Sequence, residues 1–448
     1  MLHNHCLTLL ILSLAAWWLA PVSASAQGSS KPNVILIMAD DFGYECVGTN
    51  GGSSYKTPNL DKLAATGALF TQCYVQPLCT PTRVQLMTGQ YNVRNYTVFG
   101  ELHRSQKTFG NLFKDAGYVT GIAGKWQLGR DMNLPAHFGF DNYCLWQLMR
   151  RPPRYCNPGL DIDGKQFDYT NGEYGPDQVL DYALNFIEKN KAKPFLLYYP
   201  LILTHSPFQP TPGTPDWDPK RQGEQYNNVK HFKEMTEHMD ANVGRLVKKL
   251  EETGLREKTL LIFIGDNGTE STVTSVLNGK EYRGGKGSTT AAGMHVPMIV
   301  NFPGTIKQRI VCDDLVDSTD FLPTICEAAG ITIPKDWILD GGSFYPQLLG
   351  RKGTPREWVY CWYLGQMKEG QQKICVQNKQ YKLYNDGKLY DLAADPLEQG
   401  KPIGKNAQSA KQQTAAAELQ KVLDCYKNAR PEWIIRNAQT AKIVGYAD

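Results

Sequence analysis

The sequence predicts an α/β protein: a large, mostly parallel sheet flanked by helices, followed by a smaller α+β part with an antiparallel sheet. Three observations predict it. Between residues 33 and 304, short runs rich in Val, Ile and Leu alternate with helical patterns, the signature of a parallel sheet covered on both faces. Several intervening segments repeat apolar residues at helical spacing. Beyond residue 340 the pattern changes to short alternating strands and turns.

The expected strands, in order, are NVILIMAD (33–40), YVTGIAG (118–124), PFLLYYPLILTH (194–205), TLLIFIGDNG (259–268) and VPMIVNFPG (296–304). Helices are expected over 59–67, 103–117, 178–190 and 229–254. Thr80 and Pro81 suit a helix start with Pro at the first helical position, and Gly89 suits its stop. In the C-terminal part, residues 357–392 read as strands with a hairpin at Asn385-Asp386-Gly387, and 409–429 as an Ala- and Gln-rich helix.

The chain has 448 residues and a formal charge of only +4, with basic residues scattered, which argues against a nucleic-acid partner. The apolar run LTLLILSLAAWWLA (7–20), followed by Ala24-Ser25-Ala26, reads as an export signal cleaved near Ala26. No other run is long enough to span a membrane. The expected division is a signal over 1–26, a catalytic domain over 27–345 and a smaller C-terminal domain over 346–448, with a secreted or periplasmic location.

In open parallel sheets, ligands sit beyond the carboxyl ends of the strands. There the runs end in Asp40-Asp41, lead into Lys125 and Gln127, and end in His205 and in Asp266-Asn267. Asp40, Asp41, Asp266 and Asn267 offer only oxygen atoms, which fits Ca2+ or Mg2+ better than zinc. Cys79 opens the helix of LCTPTRVQLMTGQ (78–90), where backbone N–H groups favour an anion. A disulfide half, a nucleophile and the precursor of another group are all open readings. A soft thiolate sits poorly beside a hard cation.

The segment LCTPTR followed by LMTGQY resembles the signature of the formylglycine-dependent sulfatases, of the alkaline-phosphatase-like superfamily. The similarity continues through MADDFGY (38–44), TPNLDKLAATGALFTQCY (57–74), GKWQLG (124–129), HFGFDNY (137–143), THSPF (204–208), GDNG (265–268), RGGKG (283–287), STDFLPTICEAAG (318–330) and LYDLAADPLE (389–398). The resemblance implies that a formylglycine-generating or equivalent enzyme oxidises Cys79 to an aldehyde whose hydrate is an oxygen nucleophile. It implies Ca2+ held by Asp40, Asp41, Asp266, Asn267 and modified Cys79. Arg83 would hold the hydrate, Lys125 would lie near hydrate and sulfate, and His205 and Lys286 would bind sulfate and serve the departing oxygen, His205 donating a proton with a pKa expected near neutrality. The expected activity is hydrolysis of a sulfated small molecule or polysaccharide.

Three positions depart from that pattern. Gln127 stands where most members have the His of GKWHLG, the expected base for expelling sulfate, and an amide cannot accept that proton at neutral pH. Either another group serves, or turnover is slow, or cleavage is lost. Thr82 replaces a usual Ser or Ala, and Ala291-Ala292-Gly293 a usual EGG. Two alternative functions follow: a phosphonate or phosphate diester hydrolase with the same nucleophile, and a sulfated-glycan-binding protein. Trp126, Trp146, Tyr155, Trp362 and Tyr363 are candidates for stacking on sugar rings. Arg150, Arg151 and Arg154 form a basic loop that could meet a polyanion.

Overall fold

The computed structural model of the protein describes residues 31–220, 226–307, 309–366 and 368–435. The expected signal, 1–26, lies outside the described residues. The strands are β1 (Asn33–Ala39), β2 (Ala68–Tyr74), β3 (Val119–Lys125), β4 (Asn142–Trp146), β5 (Gly159–Ile162), β6 (Lys165–Asp168), β7 (Phe195–Pro200) and β8 (Thr259–Gly265). They continue with β9 (Thr274–Leu277), β10 (Lys280–Arg283), β11 (His295–Asn301), β12 (Ile310–Asp317), β13 (Val359–Tyr363), β14 (Lys373–Gln377), β15 (Tyr381–Tyr384) and β16 (Leu389–Asp391).

Ten strands form one sheet in the order β12-β2-β11-β8-β1-β7-β3-β4-β5-β6. Its centre, β8, β1, β7, β3 and β4, is parallel, as the apolar runs predict. β11 differs, being antiparallel to both β8 and β2. An apolar run carries no direction, so its orientation could not be read from composition.

The helices cover both faces because the side chains of a strand alternate. All seven residues of β1 are buried. Val34, Leu36 and Met38 enter one apolar cluster, together with residues of the helices Cys79–Thr88, Phe109–Asp115 and Phe321–Ala329. Ile35, Ile37 and Ala39 enter the other, together with the helices Pro58–Ala65, Gly175–Asn190 and Phe232–Glu252. Each large aliphatic side chain so buried contributes about 1.5–3 kcal/mol.

One predicted boundary moves, and one edge strand lies outside the expected set. The helix expected from 103 begins only at Phe109, where the Thr108 hydroxyl accepts the Asn111 N–H at 3.4 Å. β12 carries Asp313 and Asp314 at a register shift on the sheet edge, where charge protects an open edge and hides the strand pattern. In the C-terminal part, β13 to β16 form the expected antiparallel sheet, with Gly387 at φ 86 between β15 and β16. The helix Ala410–Tyr426 packs on it through Ala415, Leu419 and Leu423, and these residues share the first apolar cluster with β1. No helix among the described residues is long and apolar enough to cross a membrane.

Candidate active site

The parallel centre of the sheet brings four chain segments to one edge. Backbone bonds lock them together: Asp40 N–H donates to Leu203 O at 2.8 Å, Thr204 N–H to Asp40 O at 2.7 Å, and Asp266 N–H to Ala39 O at 2.9 Å. Asp41 turns back at φ 58, a conformation that Asp adopts more readily than most residues, and its N–H donates to Asp266 Oδ1 at 3.0 Å.

The Cys79–Thr88 helix closes the site. Pro81 is its third residue, not its first as predicted. Its missing N–H does no harm there, because the first four N–H groups have no intrahelical partner. The helix stops at Gly89, φ 67, as expected. Cys79 is fully buried at the N-terminal end, and its Sγ lies with carboxylate oxygens of Asp40 and Asp266, all within 4.8 Å of one another. The described residues contain no disulfide. Arg83, four residues on and therefore on the same helix face, is fully buried and donates to Asp266 Oδ2 at 2.9 Å and to Lys125 O at 3.2 Å.

Lys125 Nζ donates to both oxygens of Asp40 at 3.0 Å. Burial raises the Asp40 carboxyl, but Lys125, Arg83, Arg154 and Lys286 outweigh it and hold the pKa below the usual value. Asp266 is pushed up to about 8, by burial and then by the Asp40 charge, against Arg83 and Lys125. Burial likewise raises Asp41. Two of the three clustered carboxyls are thus raised despite the protein cations, and a divalent cation among them would favour their ionised forms. One further observation fits such an ion: Asn267 Nδ2 donates to Asp41 Oδ1 at 2.8 Å, while its buried Oδ1 has no hydrogen-bond partner among the described residues.

Lys286, on the loop after the β9–β10 hairpin, reaches Asp41 Oδ2 at 3.0 Å and His205 Nε2 at 3.0 Å. His205 Nδ1 lies 2.6 Å from Ser206 O. A carbonyl only accepts, so Nδ1 carries the hydrogen and Nε2 turns its lone pair to Lys286. The near-neutral pKa expected of His205 is not met. Burial, then Lys286, Arg154 and Lys125, push it well below the ordinary 6.5.

Gln127 is fully buried at φ 53, and neither amide atom has a hydrogen-bond partner among the described residues. The proposed sugar-stacking aromatics are all buried packing residues: Trp126, Trp146, Tyr155, Trp362 and Tyr363 are between 0% and 6% exposed. Nor is the basic loop a continuous strip. Arg150 pairs with Asp168 at 2.9 Å and 2.5 Å, whereas Arg154 turns inward, 4.0 Å from Asp40 Oδ2. Tyr155, next to it, donates its hydroxyl to Ile202 O at 3.0 Å and to His205 O, fixing the segment that carries the imidazole. A cleft of about 270 Å3 runs beside Arg154, Tyr155, Pro207 and Gln209.

Residues 32–331 match the family model described as Sulfatase, and 288–425 that of N-sulphoglucosamine sulphohydrolase, C-terminal. The chain belongs to the sulfatase family. It is 32% identical to arylsulfatase A of Bos taurus over 427 residues, covering 85% of this chain and 81% of that one. It is 30% identical over 390 residues to N-acetylgalactosamine-6-sulfatase of Canis lupus familiaris, covering 79% and 71%. Among solved structures, Ps i-CgsB in complex with k-i-k-neocarrahexaose aligns with a TM-score of 0.76 at 24% identity, over 92% of this chain and 98% of that one, a likeness of fold. The protein is a sulfuric ester hydrolase with an alkaline-phosphatase-like sheet.

Proposed function

We propose that this sulfatase removes sulfate from a sulfated carbohydrate, that a maturation enzyme converts Cys79 to formylglycine, and that Ca2+ is its resident cation. The observation that carries the reading is the convergence of hard oxygen donors and cations on a fully buried cysteine at a helix start. The printed names of the relatives, an N-acetylgalactosamine-6-sulfatase among them, support a sugar ester. Export, with cleavage near Ala26, belongs to the same reading and rests on the apolar run 7–20.

Asp40, Asp41, Asp266, Asn267 and the modified residue 79 would hold the cation, which would offset negative charge on the sulfate oxygens; Mg2+ suits the same donors. The hydrated aldehyde would supply one hydroxyl oxygen to attack sulfur and a second to expel sulfate. The chain's own residues do the rest. Arg83, one helical turn from residue 79, is tied to Asp266 and would hold the hydrate beside it. Lys125 and Lys286, both held by aspartates at 3.0 Å, present positive charge that needs no rearrangement when the transferring group becomes more anionic. Lys286 Nζ holds the proton next to His205 Nε2, so the pair, rather than a free imidazolium, serves the departing oxygen. Gln127 offers an amide as hydrogen-bond partner and takes no proton.

The test is release of sulfate by purified enzyme offered sulfated oligosaccharides, an aryl sulfate and an aryl phosphodiester in parallel. The reading predicts the highest kcat/KM on a sulfated oligosaccharide. Dominant diester cleavage, or tight oligosaccharide binding without sulfate release, would overturn it.

A further inference from the structure

We propose that Arg154 is a further sulfate-binding residue of this site, with its Nη1 placed to donate to a non-bridging oxygen of the scissile sulfate. The inference rests on the site reading above and adds a cation from the loop that follows β4.

The Arg154 side chain is only 6% exposed. A buried guanidinium carries five donors and is stable only where most of them find acceptors. Its Nη1 has no hydrogen-bond partner among the described residues. Among the described residues its ion-pair partner is Asp40 Oδ2 at 4.0 Å, beyond hydrogen-bond reach. Asp40 is already served by Lys125 at 3.0 Å on both oxygens and faces Arg83 at 3.8 Å. Arg154 adds only a longer-range charge to Asp40 and spends no hydrogen bond on it.

Nor is the side chain loosely placed. It lies over the Trp146 ring, 4.1 Å from the centroid, a cation–π contact that strengthens when desolvated. Trp146 is fixed in turn, opposite Lys125 across β3 and β4 and with Nε1 donating to Pro152 O at 3.0 Å. A rigid donor thus stands at the rim of the site, on the wall shared with the cleft that Pro207 and Gln209 line just beyond His205. An anion held between Lys125 and Lys286 next to Asp40 would supply the oxygen that Nη1 lacks. The added charge also suits a site in which Gln127 cannot become cationic as histidine could.

The experiment compares wild type, Arg154→Gln, Arg154→Lys and Lys286→Ala by steady-state kinetics on an aryl sulfate, by competitive inhibition with inorganic sulfate and by the rise in Tm that sulfate produces. Arg154→Gln is expected to lower kcat/KM about 100-fold, mainly in kcat, and to weaken inhibition by sulfate, with Arg154→Lys in between. Wild-type inhibition by sulfate in Arg154→Gln overturns the proposal; if Lys286→Ala loses that inhibition in parallel, the site reading stands without Arg154. If neither variant changes sulfate binding, the site reading falls as well. Should Arg154→Gln not fold, wild-type sulfate inhibition and kcat in Arg154→Lys overturn the proposal, because a single ammonium cannot reproduce the stacked guanidinium.

Discussion

Replacing Gln127 with histidine separates the role of this residue from that of the rest of the site. The side chain is fully buried at φ 53, with both amide atoms unpartnered among the described residues. Unpartnered buried polar atoms destabilise by about 1–3 kcal/mol each, so an imidazole in their place forfeits no hydrogen bond. Histidine is also among the residues that tolerate positive φ, so folding stability should stay within about 1 kcal/mol of wild type. The chemical effect is larger. A positioned general base contributes about 10²–10⁴ in rate, and glutamine contributes none of it. Where expulsion of sulfate limits turnover, Gln127→His should raise kcat by about 100-fold and introduce a loss of rate on acidification that wild type lacks. The assay is stopped-flow release of the phenol from an aryl sulfate across pH. Wild type is expected to show a burst followed by a slow steady state, and the variant a steady state close to the burst rate. A wild type without a burst, together with an inactive variant, would refute the reasoning and assign Gln127 to a different second step.

Other outcomes follow from the same contacts. Asp266→Asn keeps the shape but removes the charge that Arg83 meets at 2.9 Å, and should weaken Ca2+ binding at least about tenfold, read as the Ca2+ dependence of Tm and of activity. Chelation should lower both quantities in wild type, with Ca2+ restoring them; indifference of both to chelator would count against the metal. Asp317, whose Oδ1 accepts from Gln85 Nε2 at 2.7 Å and so anchors the Cys79 helix, is raised to about 6 from 3.8 by burial, against Arg356. A carboxyl raised on folding contributes stability that is present below pH 3.8 and lost as pH rises through 6, a change of up to about 3 kcal/mol. Denaturant unfolding should therefore show Asp317→Asn gaining that amount on wild type between pH 4 and pH 7, and parallel stability curves would exclude it.

The legible part of the site is the part set by strand ends. Asp40, Asp41, Lys125, His205 and Asp266 close apolar runs, and a parallel sheet brings such ends together whatever the loops do. Cys79, Arg83 and Lys286 lie off the strands, and only motif resemblance points to them, because local pattern alone leaves a helix-start cysteine and a loop lysine ambiguous. Arg154 is illegible for a physical reason: in RRPPR the three arginines look equivalent, and only the packing of one on Trp146 turns it inward. Its stacking partner, Trp146, stands at the end of β4 just upstream, and the way the loop folds back onto that ring leaves no trace in local composition. The depressed His205 pKa is illegible for the same reason, since it arises from burial and from three cations carried by separate segments. The antiparallel course of β11 depends on connectivity, and the edge strand β12 hides its apolar pattern behind Asp313 and Asp314.

The most direct test is mass analysis of the peptide carrying Cys79, taken from protein made in its native host. The account predicts a residue that has lost its sulfur, with the mass of an aldehyde or its hydrate and reactivity toward hydrazides. A free thiol at residue 79 in active enzyme would contradict it.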